Sequence, residues 1–154
     1  MLKLKILNRK KIKEILALIK KQWGADFSTE LVFLMNNEDK LFLVNKEVFN
    51  LNLEKLRINS IGLYFGEIKS NELRLSIEGS QMIGNKAKKN FVELNKKQAM
   101  DWLKGQDIDA EGDYRGFVIL KHENDFLGTG KYKDGKVFNY VPKARRFKYN
   151  LETE

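Results

Sequence analysis

The chain has 154 residues, 42% hydrophobic and 32% charged, with a formal net charge of +8. That length and composition suit one ordinary domain or two small ones with a core and a soluble surface, and the charge favours an anionic partner, nucleic acid before acidic protein or membrane. There is no cysteine and a single histidine, His122, which excludes disulfides, thiolate metal sites, a cysteine nucleophile and the usual zinc ligand sets.

In chain order, apolar Ile12, Ile15, Leu16, Ile19 and Trp23 recur at helical spacing. They predict an amphipathic helix over Lys10–Trp23, with Gly24 as its stop. Leu31–Met35 and Leu41–Val44 read as short strands joined by a turn-forming loop, and Lys46–Leu56 as a short helix. Ile58–Ile68 reads as a strand interrupted by Gly62 and Gly66. Leu73, Leu75 and Ile77 alternate with Arg74 and Ser76, the period of a half-buried strand. These elements make an α+β unit over residues 1–84. Residues 85–90, short, polar and basic, read as a linker.

A second unit is expected over residues 91–154. It opens with a strand at Phe91–Leu94 and a helix at Lys96–Lys104, capped by Asn95 and closed by Gly105. Strands follow at Tyr114–Leu120, Phe126–Tyr132 and Lys136–Tyr140, with a last one near Arg145–Tyr149. One short helix and closely spaced strands point to a small β-barrel. Trp23 and Trp102 fall at or near helix ends and read as packing residues. The acidic run Asp107–Asp113 misses the EF-hand spacing and reads as a solvated loop on the face away from a polyanion.

The densest signal is basic. Between Lys131 and Lys148 lie Lys131, Lys133, Lys136, Lys143, Arg145, Arg146 and Lys148 against one acid, Asp134. Tyr132, Phe138, Tyr140 and Phe147 are interleaved with them, a pattern that suits phosphates and unstacked bases. The other reading is a solvated edge hairpin whose lysines discourage aggregation. Lys96, Lys97 and Lys104 of the predicted helix complete the candidate RNA-binding set. Catalytic signals are missing: there is no P-loop, no nucleophile elbow and no complete dinucleotide fingerprint, and His122 reads as a surface residue. No apolar run reaches a membrane span, and the N-terminus lacks a secretory pattern, so the expected location is the cytoplasm.

The order strand, Lys-Lys helix, Lys104-Gly105, Gly112-Asp113, strand Gly116–Leu120, then Phe126–Lys131 resembles a PUA domain, an RNA-binding module. The ending, with Gly128, Gly130, Lys131, Gly135, Lys136, Asn139, Pro142, Lys143 and Arg146, is similar to the PUA-like tail of Nol/Nop/Sun RNA cytosine-5 methyltransferases. Ile58–Lys69 followed by Leu73–Ile77 resembles the pre-PUA domain of the Nip-seven ribosome-biogenesis factors, in which a short helix and a linker lead into the PUA domain. The resemblance implies an N-terminal α/β pre-PUA module followed by a small PUA-like β-barrel.

It further implies an RNA-binding adaptor in ribosome biogenesis or in rRNA or tRNA maturation, with an rRNA precursor or tRNA as partner. The methyltransferases carry their chemistry on a separate cofactor-binding domain with a cysteine nucleophile. This chain is therefore expected to be non-catalytic, with neither cofactor nor metal. The alternative is a protein-interaction module that recruits or activates a separate RNA-modification or ribosome-assembly protein.

Overall fold

The computed structural model describes residues 4–47 and 62–146. The first sheet is antiparallel throughout, in the order β1 (Leu4–Ile6), β2 (Val32–Asn36), β3 (Lys40–Val44), β4 (Leu63–Lys69) and β5 (Glu72–Leu75), with helix α1 (Arg9–Trp23) inserted after β1. Helix α2 (Ile77–Ile83) and a 3-10 turn (Gly84–Lys86) lead out of it. The second sheet is built from β6 (Phe91–Glu93), β7 (Ile108–Asp109), β8 (Phe117–His122), β9 (Asp125–Lys133) and β10 (Lys136–Phe138), in the order β6-β8-β9-β10-β7. Helix α3 (Lys96–Leu103) follows β6, which pairs with β8 in parallel. The fold is α+β. No helix among the described residues is long and apolar enough to cross a membrane.

Local chemistry explains the helix ends. Asn8 caps α1 by accepting from the Lys11 amide, and Gly24, with φ +67°, closes it in the left-handed conformation that glycine tolerates best. Asn95 and Gln98 form a reciprocal capping box at the start of α3. The strand expected to run through Ile77 instead stops at Leu75. Ser76 turns the chain into α2, accepting from the Gly79 amide as N-cap while its hydroxyl donates back to the Tyr64 carbonyl. The helix expected over Lys46–Leu56, the first residues of the strand expected from Ile58, and Phe147–Tyr149 of the last expected strand lie largely or wholly outside the described residues. Lys143–Arg145 forms a 3-10 turn.

Two cores result. The first holds Ile15, Ile19 and Trp23 of α1 and Phe33, Leu41, Leu43, Phe65, Leu73 and Leu75 of the first sheet, together with Phe117, Ile119 and Phe126 of the second sheet. The second lies on the opposite face of the second sheet, where Val118, Leu120 and Val137 pack against Ala99 and Trp102 of α3. Polar bolts reinforce the shared core. The Trp23 indole N–H donates to the Phe117 carbonyl at 3.0 Å, the Thr129 hydroxyl to the Leu75 carbonyl, and the Gly128 amide to the Ser80 hydroxyl. Residues 84–90 take part as well: Gly84 lies against the Phe126 ring, and the Lys88 and Lys89 amides both donate to the Trp23 carbonyl. The Asn90 side chain donates to the Gln22 and Arg115 carbonyls.

Candidate nucleic-acid interface

The basic hairpin is β9–β10. Its register places Lys133 opposite Lys136, and Asp134 (φ +51°) and Gly135 (φ +79°) are the two central residues between them. Two consecutive left-handed residues make the type I′ turn favoured in two-residue hairpins, and Asp-Gly is a preferred sequence for it. Because strand side chains alternate, Lys131 and Lys133 of β9 and Lys136 and Phe138 of β10 project from one face. Phe117 of β8 shares that face, paired with Lys131.

Within this face the aromatic groups form a chain of contacts. The Tyr140 ring meets Phe117 edge-on at 5.6 Å, and the Arg74 guanidinium of the first sheet stands 5.0 Å over Tyr140. The Lys131 ammonium sits 5.0 Å over Phe117. Phe138 and Tyr140 remain 40% and 38% exposed, unusual for large aromatics with cations around them. A surface of this kind can hold an anionic strand by its phosphates and stack an unpaired base.

The candidate cations do not form one patch. Lys133 and Lys136 are exposed on the hairpin, with Asp109 at 4.0 Å from Lys136. Lys131 beside them is held by Glu72 of β5. Lys96 and Lys97 belong to α3, which covers the opposite face of the sheet, and Lys97 pairs with Asp101 one helical turn on, at 3.1 Å. Lys104 is the C-cap of α3. Near it the Arg146 side chain packs over Gly105 and donates to the Val141 carbonyl. Lys143 is exposed, whereas Arg145 pairs with Glu78 of α2 at 2.7 Å. That contact holds the Glu78 carboxyl below its ordinary range and raises the Arg145 guanidinium above its own. Lys148 lies outside the described residues.

Other sequence expectations meet the structure directly. Trp23 and Trp102 are both fully buried, each with its indole N–H on a backbone carbonyl, so both are packing residues. The His122 ring hydrogen-bonds the Leu94 carbonyl at 2.9 Å and is half-buried. The acidic run is not on a remote face. Ile108–Asp109 pairs with β10, Asp107 accepts from the Asn139 amide, and Glu111 lies beside Gly135 at the hairpin turn. The strand pairing brings these acids beside the basic hairpin, where they temper its charge.

The glycines of the Gly128-Thr129-Gly130 run serve packing. A Cβ on Gly130 would sit 2.5 Å from both the Trp102 ring and the Phe138 carbonyl, and Gly128 adopts φ +90° against Ile77. What sequence reading missed is the part played by the first sheet. Arg74 and Tyr64 line a groove with Ser76, Tyr140 and Arg145 where the two sheets meet. Burial raises the Tyr64 hydroxyl's pKa even though Arg74 lies beside it. Arg74 is itself held 2.6 Å from the buried Glu67. No group of carboxylates and histidine able to hold a metal occurs among the described residues.

Residues 89–147 match the family described as the methyltransferase RsmF PUA domain. Over that stretch the chain is similar to this PUA domain. Relatives extend the likeness. The ribosomal RNA small subunit methyltransferase F of Vibrio cholerae serotype O1 (strain M66-2) is 28% identical over 132 residues, covering 84% of this chain and 27% of the relative. The protein of the same name from Shewanella oneidensis is 27% identical over 136 residues, covering 87% and 28%. That of Aeromonas hydrophila is 35% identical over 92 residues, covering 58% and 19%.

The chain thus spans between 19% and 28% of the length of these relatives. Matches covering 84% or more of the chain cannot be confined to the PUA stretch. The likeness to these methyltransferases therefore reaches into the first half, for which the sequence pointed to the ribosome-biogenesis factors.

Proposed function

We propose that this protein binds RNA as a non-catalytic adaptor in the maturation of rRNA, and by extension of tRNA or the ribosome, in the cytoplasm. The observation that carries the reading is the exposed face of β9–β10, with Lys133, Lys136, Phe138 and Tyr140, inside the stretch that matches the RsmF PUA domain. Phosphates would be held by the lysines, and an unpaired base by the aromatic rings, the usual route to sequence preference in RNA. Residues 1–84 act as the pre-PUA unit and 91–154 as the PUA-like unit, with 85–90 between them. Lys96, Lys97, Lys104, Lys131, Lys133, Lys136, Lys143, Arg145, Arg146 and Lys148 are the proposed contacts. Methyl transfer by the resembled group requires a cysteine nucleophile, which this sequence lacks, so the chemistry belongs to another unit.

A docking role toward a modification or assembly protein has one observation in its favour. Among the described residues β1 is an edge of the first sheet, with Ile6 62% exposed and Leu4 36% exposed, and a strand edge with apolar side chains is a pairing surface.

The test is RNA binding by the pure protein as a function of salt. Binding should weaken steeply with added salt as counterions return to the phosphates. Changing Lys133 and Lys136 to Gln should lower the slope by about 1, at about 0.7 per single-strand phosphate contact. Absence of any salt-dependent binding would leave the docking role as the reading.

A further inference from the structure

Beside the hairpin, where the two sheets meet, lies a cleft of about 510 Å³. Its walls come from both halves of the chain: Lys21 from the last turn of α1, Glu72 from β5, Lys89 from the 84–90 segment, and Asp113 and Arg115 from the approach to β8. Lys21, Lys89 and Arg115 are all exposed. Among the described residues none of the three has a carboxylate within ion-pair distance. Of the two acids in the cleft, Glu72 is already occupied by Lys131, so the site keeps a cationic surplus against Asp113.

We propose that this junction cleft is a phosphate-binding site for a single RNA strand, with Lys21, Lys89 and Arg115 as its cations. The proposal rests on the RNA-binding reading and adds a subsite outside the basic hairpin. Three observations converge on it.

The first is availability. Lys97, Lys131 and Arg145 of the hairpin and helix set each hold a carboxylate, which a phosphate must displace, whereas the cleft cations hold none. The second is rigidity. The backbone that carries the cleft cations is pinned: the Lys89 amide donates to the Trp23 carbonyl, and Asn90 bridges the Gln22 and Arg115 carbonyls while accepting from the Arg115 amide. Charges on a fixed frame lose less freedom on binding.

The third is continuity. Glu72 at the cleft wall holds Lys131, which sits over Phe117, and Phe117 contacts Tyr140. Lys131 is in turn the cross-strand partner of the exposed Phe138, so the cleft adjoins the hairpin face that a bound strand would reach. Of these groups the cleft contributes no aromatic ring, so it positions the backbone, and base contacts fall on the hairpin face.

The experiment is fluorescence anisotropy on the full chain with a labelled single-stranded RNA oligonucleotide of mixed sequence, at salt from about 50 to 200 mM. The variant Lys21→Gln/Lys89→Gln/Arg115→Gln changes only exposed side chains, so its melting temperature should match the wild type. It should lose about tenfold or more in affinity at low salt, and its salt slope should fall by about 2, three contacts at about 0.7 each. On the wild type, RNA should protect Lys21 and Lys89 from amine acetylation read by mass spectrometry.

A variant that binds with the wild-type slope, or Lys21 and Lys89 that react equally with and without RNA, would overturn the cleft and leave RNA binding by the hairpin standing. A wild type with no salt-dependent binding would overturn both. Polyglutamate that competes as well as unlabelled RNA at equal charge would assign the cleft to an acidic protein, against the proposal.

Discussion

Trp23 shows how much of the architecture a single side chain carries. It ends α1, is fully buried, and its indole N–H reaches the carbonyl of Phe117 in the other sheet, while its own carbonyl takes the amides of Lys88 and Lys89. Trp23→Phe keeps the ring and removes the donor, leaving the Phe117 carbonyl without that partner and a gap where the larger ring stood. We expect a loss of about 2–4 kcal/mol in a urea titration, from the cavity together with the lost hydrogen bond. Gly84 gives the complementary case. A Cβ there would lie 2.2 Å from the Phe126 ring, so Gly84→Ala forces a core aromatic to move although the backbone itself accepts alanine. The cost should be about 1–3 kcal/mol by thermal or chemical unfolding. A neutral Gly84→Ala variant would show that the Phe126 ring has room to give way.

At the scale of elements, α2 is the wedge between the two sheets and the element least visible in the sequence. Ser76-Ile77 continues the alternation of Leu73 and Leu75, and Gly79 within a helix is unfavourable on propensity alone. Tertiary packing decides the matter: a Cβ on Gly79 would lie 2.1 Å from the Phe65 carbonyl, and Ser80 accepts from Gly128. The Gly24 stop of α1, the Asn95 cap of α3 and the β9–β10 hairpin were legible because their signals lie within a few residues of one another. The candidate site was legible as charge but not as pairing. Lys131 and Arg145 find Glu72 and Glu78 across 59 and 67 residues of sequence, a distance that no local pattern bridges.

The Glu78–Arg145 pair, which ties α2 to the C-terminal segment, has a pH signature. Arg145 hydrogen-bonds the Glu78 carboxyl and lowers its pKa from the ordinary 4.5. The folded state thus favours the ionised form, and the pair's stabilisation is present above about pH 4.5 and is lost as pH falls through the folded value. Arg145, raised rather than lowered, stays charged throughout. Both groups are partly solvated, so the contribution should be no more than about 1 kcal/mol. Glu78→Gln should lower stability near neutral pH and narrow the gap to wild type as the medium is acidified. An unchanged gap from pH 7 to pH 3 would show that the pair carries no such linkage.

Across the whole molecule, the two sheets are separate in topology, yet the first core draws on both of them. Phe117, Ile119 and Phe126 of the second sheet pack with Ile19, Trp23 and Phe65 from α1 and the first sheet, and 84–90 is hydrogen-bonded into the junction. The sequence divides the chain into units over residues 1–84 and 91–154, and a cut before residue 88 would separate them. Cutting there would expose Phe117, Ile119 and Phe126 to water and remove the indole donor from the Phe117 carbonyl. At about 1.5–3 kcal/mol for each large apolar side chain returned to solvent, the loss approaches the whole stability of a small domain.

The full chain should therefore unfold in one cooperative transition, with tryptophan fluorescence and far-UV circular dichroism giving the same midpoint. Both probes are informative, because Trp23 reports the junction and Trp102 the second core. The isolated 88–154 fragment should show a markedly lower midpoint or no cooperative transition, and should bind a hydrophobic dye. Adding residues 1–87 in trans should restore both properties. Two resolved transitions in the full chain, or a fragment as stable as its parent, would mean that the sheets fold independently and that the junction, with the cleft it forms, is only a contact between finished domains.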